Sequence, residues 1–300
     1  MPDHTLDPDT FRRIYAAFAL VALLAALTEA LVRTWILRQA YDWRSYWGSL
    51  GVAIGRRLTD LLPAAVALPG AFWLYERRLV EWDWSQPWAW LTLFFALEFA
   101  YYWFHRASHR IRWFWLNHSV HHSPNDFTLA AAYRLGWTGR LSFALIFFVP
   151  LAWFGFHPVL ILMALAVNLL YQFWIHADWI PRLGPLEGIL NTPSAHRVHH
   201  ASNVGYLDAN YGGVLLIFDR LFGTYVPERD DERPIYGWVN PLRSSNPLVI
   251  VFKPWADWWS DLRSARNLRE AMGYTFGPPG WRPEGQGPTT ENLRRWAKGQ

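Results

Sequence analysis

Apolar runs separated by short polar, arginine-bearing segments set the plan of the chain. The first, Ile14 to Val32, is broken only by Thr28 and Glu29 near one end, and at about nineteen residues it is long enough to cross a hydrocarbon core. The second, Leu58 to Tyr75, contains Pro63, Pro69 and Gly70, which predict a kink. The third, Trp88 to Phe104, has Trp88, Trp90, Tyr101, Tyr102 and Trp103 near its ends, where interfacial aromatics are expected. Leu141 to Phe156 and Val159 to Ile175 follow, separated by Gly155-Phe156-His157-Pro158, and predict a helical hairpin that enters a membrane and returns. After His176 no apolar stretch is long enough to span. The pattern predicts an all-α, integral-membrane, multi-pass helical bundle, with three candidate spans plus the hairpin and a helical cap at the membrane surface.

Beyond the hairpin, Trp255, Trp258, Trp259 and Leu262 recur three or four apart with Asp257, Asp261 and Arg263 between them. That spacing suits an amphipathic helix in the interface or one packed against the body of the protein. From Gly277 onward Pro and Gly rise and the end is polar and basic, which predicts a loosely held tail. The chain divides into N-terminal membrane helices with their loops (1–87), a catalytic region (88–245), and an interfacial helix with its tail (246–300).

Composition agrees with a membrane protein: 52% hydrophobic, 18% aromatic with 21 Trp, and only 17% charged is too apolar for an ordinary soluble domain. The mean hydropathy of -0.01 is pulled down by arginine and tryptophan, so the local runs are the better guide. With no Cys, disulfides, thiolate metal sites and cysteine nucleophiles are excluded. Met1 to Thr10 is polar and acidic, unlike a secretory signal. The net charge of +4 lies in segments flanking the predicted spans, where anionic headgroups are the simpler partner; no nucleic-acid motif is present.

Eight of the eleven histidines fall in three clusters: His105 and His109; His118, His121 and His122; His196, His199 and His200. On a helix, residues four apart share a face, so each cluster aims imidazoles at one point, with His121 and His199, three residues on from their partners, close enough to share it. Eight imidazoles exceed what one zinc or non-haem iron takes, so two metals are the economical reading. His176, one turn after Gln172 and two after Asn168, continues a polar stripe on an apolar helix and is a ninth ligand. The clusters must meet, and the first two follow the third run while the last follows a hairpin that restores the side. On the histidine side stand Arg33, Arg38, Arg44, Arg56, Arg57, Arg106, Arg110, Arg112, Arg134 and Arg140, against Arg12, Arg13, Arg77 and Arg78 opposite; the positive-inside tendency then turns the histidines to the cytoplasm. His157 belongs to the far side and His4 to a polar end, so neither enters the site.

Glu98, an expensive carboxylate within an apolar run, stands two turns before His105 with Tyr102 between. It either orients an imidazole, binds metal, or is structural, snorkelling or hydrogen-bonded to a neighbouring helix. Gln172, Asp178, Asp208 and Asn210 are candidate partners that steady the ligands. Zinc proteases carry a Glu within HExxH; here the intervening residues are Arg106-Ala107-Ser108, Ser119-Val120 and Arg197-Val198, with no carboxylate. Two irons with O2 fit better, supplying an oxidant for an unactivated C–H bond that an apolar bundle shields from water. Hydroxylation of a lipid (fatty acyl, sterol or ether lipid) is the leading reading, desaturation an alternative from the same oxidant, and a metal-handling or transport protein the reading outside enzymes. Electrons come from a separate partner or a small reductant, since no cytochrome, flavin or ferredoxin module is visible.

The stretch Tyr101-Tyr102-Trp103-Phe104-His105-Arg106 through His109, then His118 to Ser123 and His196 to His200, resembles the fatty acid hydroxylase and sterol desaturase superfamily of integral-membrane diiron oxygenases. Gln172 through His176, Leu183-Gly184-Pro185-Leu186-Glu187, Asn191-Thr192-Pro193, Asn210-Tyr211-Gly212-Gly213 and Phe218 through Thr224 are similar to its alkylglycerol monooxygenase branch. The likeness covers roughly residues 90 to 245. It implies two Fe ions, O2 as co-substrate, a lipid substrate and, for that branch, ether-lipid cleavage with tetrahydrobiopterin. Arg110 stands where the branch carries Glu, and Thr128 to Arg134 replaces its Asn-Leu-Ser-Thr-Ala-Leu-Arg segment.

Overall fold

The computed structural model describes residues 8–59, 67–139 and 141–299. Among them the protein is all-helical, with isolated β-bridges and no strand. The first apolar run becomes α1 (Pro8–Leu31), continued by a π-helical turn, Val32–Ile36. Its stretch Ala16–Ile36 is the one described helix long and apolar enough to cross a membrane by length and composition. Ala22, Ala26 and Ala30 recur every four residues and are buried, so the small side chains bring one face of α1 against Leu129, Ala130 and Ala177. Leu20, Val21, Leu24 and Leu31 point outward and are exposed.

The second run is not one helix among the described residues. The helix before it, α2 (Trp43–Thr59), ends just inside the run, residues 60–66 lie outside the description, and α3 (Ala67–Glu76) has ten residues, about 15 Å at 1.5 Å per residue. The third run is continuous. Started by Pro87, which needs no N–H partner at a first turn, α4 (Pro87–Arg110) runs for 24 residues through the first histidine pair, and is about 36 Å long.

The expected hairpin is half realised. Its second arm is α7 (Pro158–Trp174), capped by the His157 side chain, which accepts from the Val159 N–H. The first arm is broken: Phe143 is left-handed (φ 58°), followed by a 3-10 turn at Ala144–Phe147 and a five-residue helix, α6 (Val149–Trp153), opened by Pro150. One side of the segment is packed, Phe148, Ala152 and Phe156 sharing a core with Leu93, Leu97, Ala100, Leu160 and Ile161, while Leu141, Phe143, Ile146, Trp153 and Phe154 are exposed. The turns after α3 and α6 are joined by Leu79 N–H to the Trp153 carbonyl (2.8 Å) and Trp82 Nε1 to the Phe154 carbonyl (3.0 Å). Helices α4 and α7 both start beside this end and finish at the histidines. His157 sits at it, edge-on to Tyr75, and His4 lies outside the described residues.

At the opposite end α5 (Arg112–His118) follows α4 after one extended residue, Ile111. Two short helices, α8 (Pro193–His199) and α9 (Ile217–Leu221), precede the C-terminal α10 (Pro247–Ser264), α11 (Leu268–Phe276) and α12 (Thr290–Ala297). α10 is packed inward through Ile250, Val251 and Pro254, with Trp255 and Trp258 edge-on to Trp113, while Leu248, Phe252 and Trp259 remain exposed. The expected loose tail is fastened instead. Asn292 is buried and donates to the Gly285 and Gly287 carbonyls, Arg294 donates to the Leu207 carbonyl (2.7 Å), and Arg110 pairs with Glu291. Composition reads polarity as solvation, and cannot show that these polar groups find partners within the fold.

Candidate metal centre

All nine expected histidines converge, in two groups. His105, His109, His118, His122 and His199 form one, and His121, His176, His196 and His200 the other; within each, the facing nitrogens lie within 4.8 Å of one another. α4 supplies His105 and His109 one turn apart. α5 ends at His118, and the turn after it, closed by His121 N–H to the His118 carbonyl (2.9 Å), presents His121 and His122. α8 starts at Thr192-Pro193, the Thr192 hydroxyl accepting from the Ala195 N–H, and carries His196, His199 and the capping His200.

The repeated spacing divides between the groups. His118 and His122 enter the first and His121 the second; His196 and His200 enter the second and His199 the first. On a helix, positions i+3 and i+4 are separated by about 100° and lie on either side of residue i, so neighbouring histidines in such a motif face different points. The expectation that i+3 shares the site of i and i+4 is corrected accordingly. The groups adjoin, with the His122 and His200 rings stacked at 4.3 Å.

Cations fit these groups. Nε2 atoms face one another at 3.0 Å (His105 and His118), 3.2 Å (His118 and His122), 3.3 Å (His121 and His176), 3.2 Å (His176 and His196) and 3.1 Å (His196 and His200). His105, His176 and His199 turn Nδ1 to the backbone carbonyls of Tyr211, Gln172 and Ala209 at 2.7 to 2.8 Å, which selects the tautomer with the Nε2 lone pair facing inward. Protons are disfavoured there: burial, reinforced by neighbouring imidazoles, holds His105, His118, His121, His122, His196, His199 and His200 well below 6.5, and burial lowers His176 to about 4. Facing lone pairs without protons repel, and a metal ion relieves this. Nε2 of His109 and of His199 are buried without a partner. Neither group contains a carboxylate, and all-imidazole sets suit iron, zinc, copper or nickel.

The other expected residues take varied places. Glu98 reaches neither group; its Oε2 accepts from the Val214 and Leu215 N–H groups (2.9 and 2.8 Å), and Asn168 donates to its Oε1. Tyr102 bonds Thr224 and Arg106, and the Gln172 side chain bonds Tyr101 and Asn168. Asp208 lies 3.6 Å from His109 Nδ1 and pairs with Arg110; burial alone would raise its carboxyl, but His109, Thr290 and Arg110 outweigh that and hold it below the usual range. Asp178 and Asn210, expected to accept from imidazoles, do not. Asp178 forms a bidentate pair with Arg33 (2.8 and 3.0 Å), and Asn210 ties backbone to backbone between Ala195 and Val226. Asp219 is the main residue that sequence reasoning passed over. Fully buried, it accepts from the N–H groups of Tyr211 and Gly212 at 2.7 and 2.8 Å, and a carboxylate within the apolar stretch Val214 to Leu221 was its available signal.

A cavity of about 530 Å³ reaches the first group. His109, His122, His199 and His200 lie along it, with Trp115, Leu116, Trp238 and Val239 as apolar wall. Its rim carries Arg112 and Arg282, both paired with Asp261, and is covered in part by Thr290 and Leu293 of α12.

Residues 90–224, which bear every one of these histidines, match the family model for fatty acid hydroxylase. Similar curated proteins include alkylglycerol monooxygenase of Xenopus tropicalis (38% identical, 78% of this chain, 52% of the relative) and of Homo sapiens (36%, 92% of this chain, 61% of the relative). Ornithine lipid hydroxylase OlsE of Rhizobium tropici is 28% identical over 67% of this chain and 63% of that protein. The chain thus spans between half and two thirds of the length of these relatives. No solved structure gives a significant match. With the histidine-bearing region matched and both groups assembled within it, the chain belongs to the fatty acid hydroxylase family.

Proposed function

We propose that the protein is a membrane-bound, O2-dependent diiron monooxygenase that hydroxylates an unactivated C–H bond of a lipid. The observation that carries this reading is the pair of adjoining, buried, all-imidazole groups without a carboxylate. His105, His109, His118, His122 and His199 would hold one iron, and His121, His176, His196 and His200 the other. Bound there, two irons supply the electrons and Lewis acidity that activate O2 toward an aliphatic C–H bond. The chain's own residues do the rest. Tyr211, Phe127 and the packed helices keep water from the imidazoles, and Nδ1 partners hold the ligand protons away from the centres. Trp115, Leu116, Trp238 and Val239 offer an alkyl chain a path to the first group. The protein sits in the membrane through α1 and the apolar faces of α4 and α7, histidines to the cytoplasm, with electrons delivered by a separate partner or small reductant.

The names of the relatives support a finer reading, monooxygenation of an alkylglycerol-type lipid, to which the sequence resemblance adds ether cleavage with tetrahydrobiopterin as candidate reductant; the name ornithine lipid hydroxylase supports hydroxylation of another lipid. Metal analysis of detergent-purified protein, with His199→Ala in parallel, tests the common core. About two irons per chain, depleted in the variant, and a lipid product heavier by one oxygen are expected. No stoichiometric iron, or iron indifferent to His199, overturns it.

A further inference from the structure

Resting on the diiron reading, we infer that loop 208–219 is the positioning element of one metal centre alone, and that Asp219 and Glu98 are its anchors. The loop touches three of the five histidines of the first group. The Tyr211 carbonyl accepts from His105 Nδ1 (2.7 Å), the Ala209 carbonyl from His199 Nδ1 (2.8 Å), and Asp208 lies 3.6 Å from His109 Nδ1. Among the described residues, no histidine of the second group hydrogen-bonds to this loop; His176 uses the Gln172 carbonyl of its own helix. The loop therefore orients ligands of the first centre only, while in the second His176 is steadied by the backbone of its own helix.

A loop can fix an imidazole only if it is itself fixed, and this one has a conformation it would not keep alone. Asp208 and Asn210 are both left-handed (φ 56° and 57°), a region that costs a non-glycine residue free energy unless its surroundings demand it. Those surroundings are two buried carboxylates. Asp219 takes the Tyr211 and Gly212 N–H groups and the Thr224 hydroxyl (2.7 Å), so a single residue, Tyr211, links carboxylate to imidazole through its N–H and its carbonyl. Glu98 takes the Val214 and Leu215 N–H groups, just beyond Gly213. Between them Gly212 and Gly213 admit the close approach, since a Cβ at Gly212 would meet the Leu215 carbonyl oxygen at 2.0 Å and one at Gly213 the Asn168 amide at 2.3 Å. Asn210 pins the other end to the Ala195 carbonyl, one residue before His196.

Removing the Asp219 carboxylate releases the Tyr211 and Gly212 N–H groups, and the carbonyls on His105 and His199 lose their fixed direction. Outer partners of this kind change metal affinity by about 10- to 100-fold, and here the change falls on the first centre. The test is chelator-driven iron release from the loaded full chain, with Asp219→Asn, Asp219→Ala, and the milder Thr224→Val and Glu98→Gln, alongside His109→Ala and His176→Ala as references for loss of either centre. One iron should leave the Asp219 variants about 10 to 100 times faster than from the unsubstituted protein, the other at its normal rate. The Mössbauer spectrum of the retained iron should coincide with that of His109→Ala and differ from that of His176→Ala. If Asp219→Ala fails to fold, the two milder variants decide, with the same signature at smaller amplitude. Unchanged release of both irons, joint loss of both from folded protein, or a residual spectrum matching His176→Ala overturns the inference while leaving the diiron reading intact. Unsubstituted protein without two irons overturns both.

Discussion

Arg197 stands between His196 and His199 on α8, and replacing it should uncouple that helix from the body of the protein. Its guanidinium is almost fully buried and makes a bidentate pair with Glu228 (2.9 and 2.7 Å), while Nη1 donates to the Ile180 carbonyl (2.8 Å). Arg197→Met keeps much of the stem but strands the Glu228 carboxylate, whose side chain is only 13% exposed. Breaking one partner of a buried pair costs about 3 to 5 kcal/mol; with Glu228 at the edge of solvent, about 2 to 3 kcal/mol is the working figure. For a chain of this size that lowers the thermal midpoint by roughly 5 °C. Because α8 gives His199 to one group and His196 and His200 to the other, both metals should be weakened together, unlike the single loss expected at Asp219. The assay is thermal unfolding in detergent of Arg197→Met, Glu228→Leu and the double variant, with metal content measured in each. The double variant should recover part of the loss, since it removes the stranded charge. A midpoint unchanged in Arg197→Met, or a double variant no better than Arg197→Met, would refute the reasoning.

The same pair gives a pH dependence. Burial raises the Glu228 carboxyl, but the hydrogen bonds of Arg197 and Ser194 and the nearby guanidinium charges outweigh it and leave it lowered. A depressed carboxylate stabilises above its unfolded value, roughly 4.3, and that contribution is lost as pH falls through the folded value; the stability gap between the parent protein and Glu228→Gln, followed by denaturation from pH 7 to 3, should therefore close on acidification, and a constant gap would contradict this. Gly213→Ala drives a Cβ against the Asn168 amide, which is itself held by Glu98, so it should destabilise by about 1 to 3 kcal/mol, visible as a lowered unfolding midpoint. Truncation before Thr290 removes Thr290 and Leu293 from the cavity rim together with the Arg110–Glu291 pair. It should leave the helical circular dichroism nearly intact while speeding metal release to a chelator, and equal release rates would show that α12 does not cover the site.

What the sequence determined by itself was chemistry and periodicity. Histidines three and four apart and the helical character of the first and third runs were legible, because helix geometry converts spacing into direction over one or two turns. So was the convergence of the imidazoles, since the three clusters together offer more ligands than one ion takes and no one of them alone supplies a closed site. Tertiary structure alone decided which imidazole faces which centre, because His121 and His122 are neighbours in sequence yet enter different groups, and only the position of α8 against the turn after α5 says where each lands. It also decided that Leu141 to Phe156 is a broken segment packed on α4, as apolarity measures transfer from water and does not distinguish lipid from protein interior. Glu98 and Asp219 could be suspected from their cost in an apolar setting. Their partners, backbone N–H groups well over a hundred residues away for Glu98 and seven or eight away for Asp219, have no signature in sequence, because every residue but proline carries the same N–H and only the fold chooses among them.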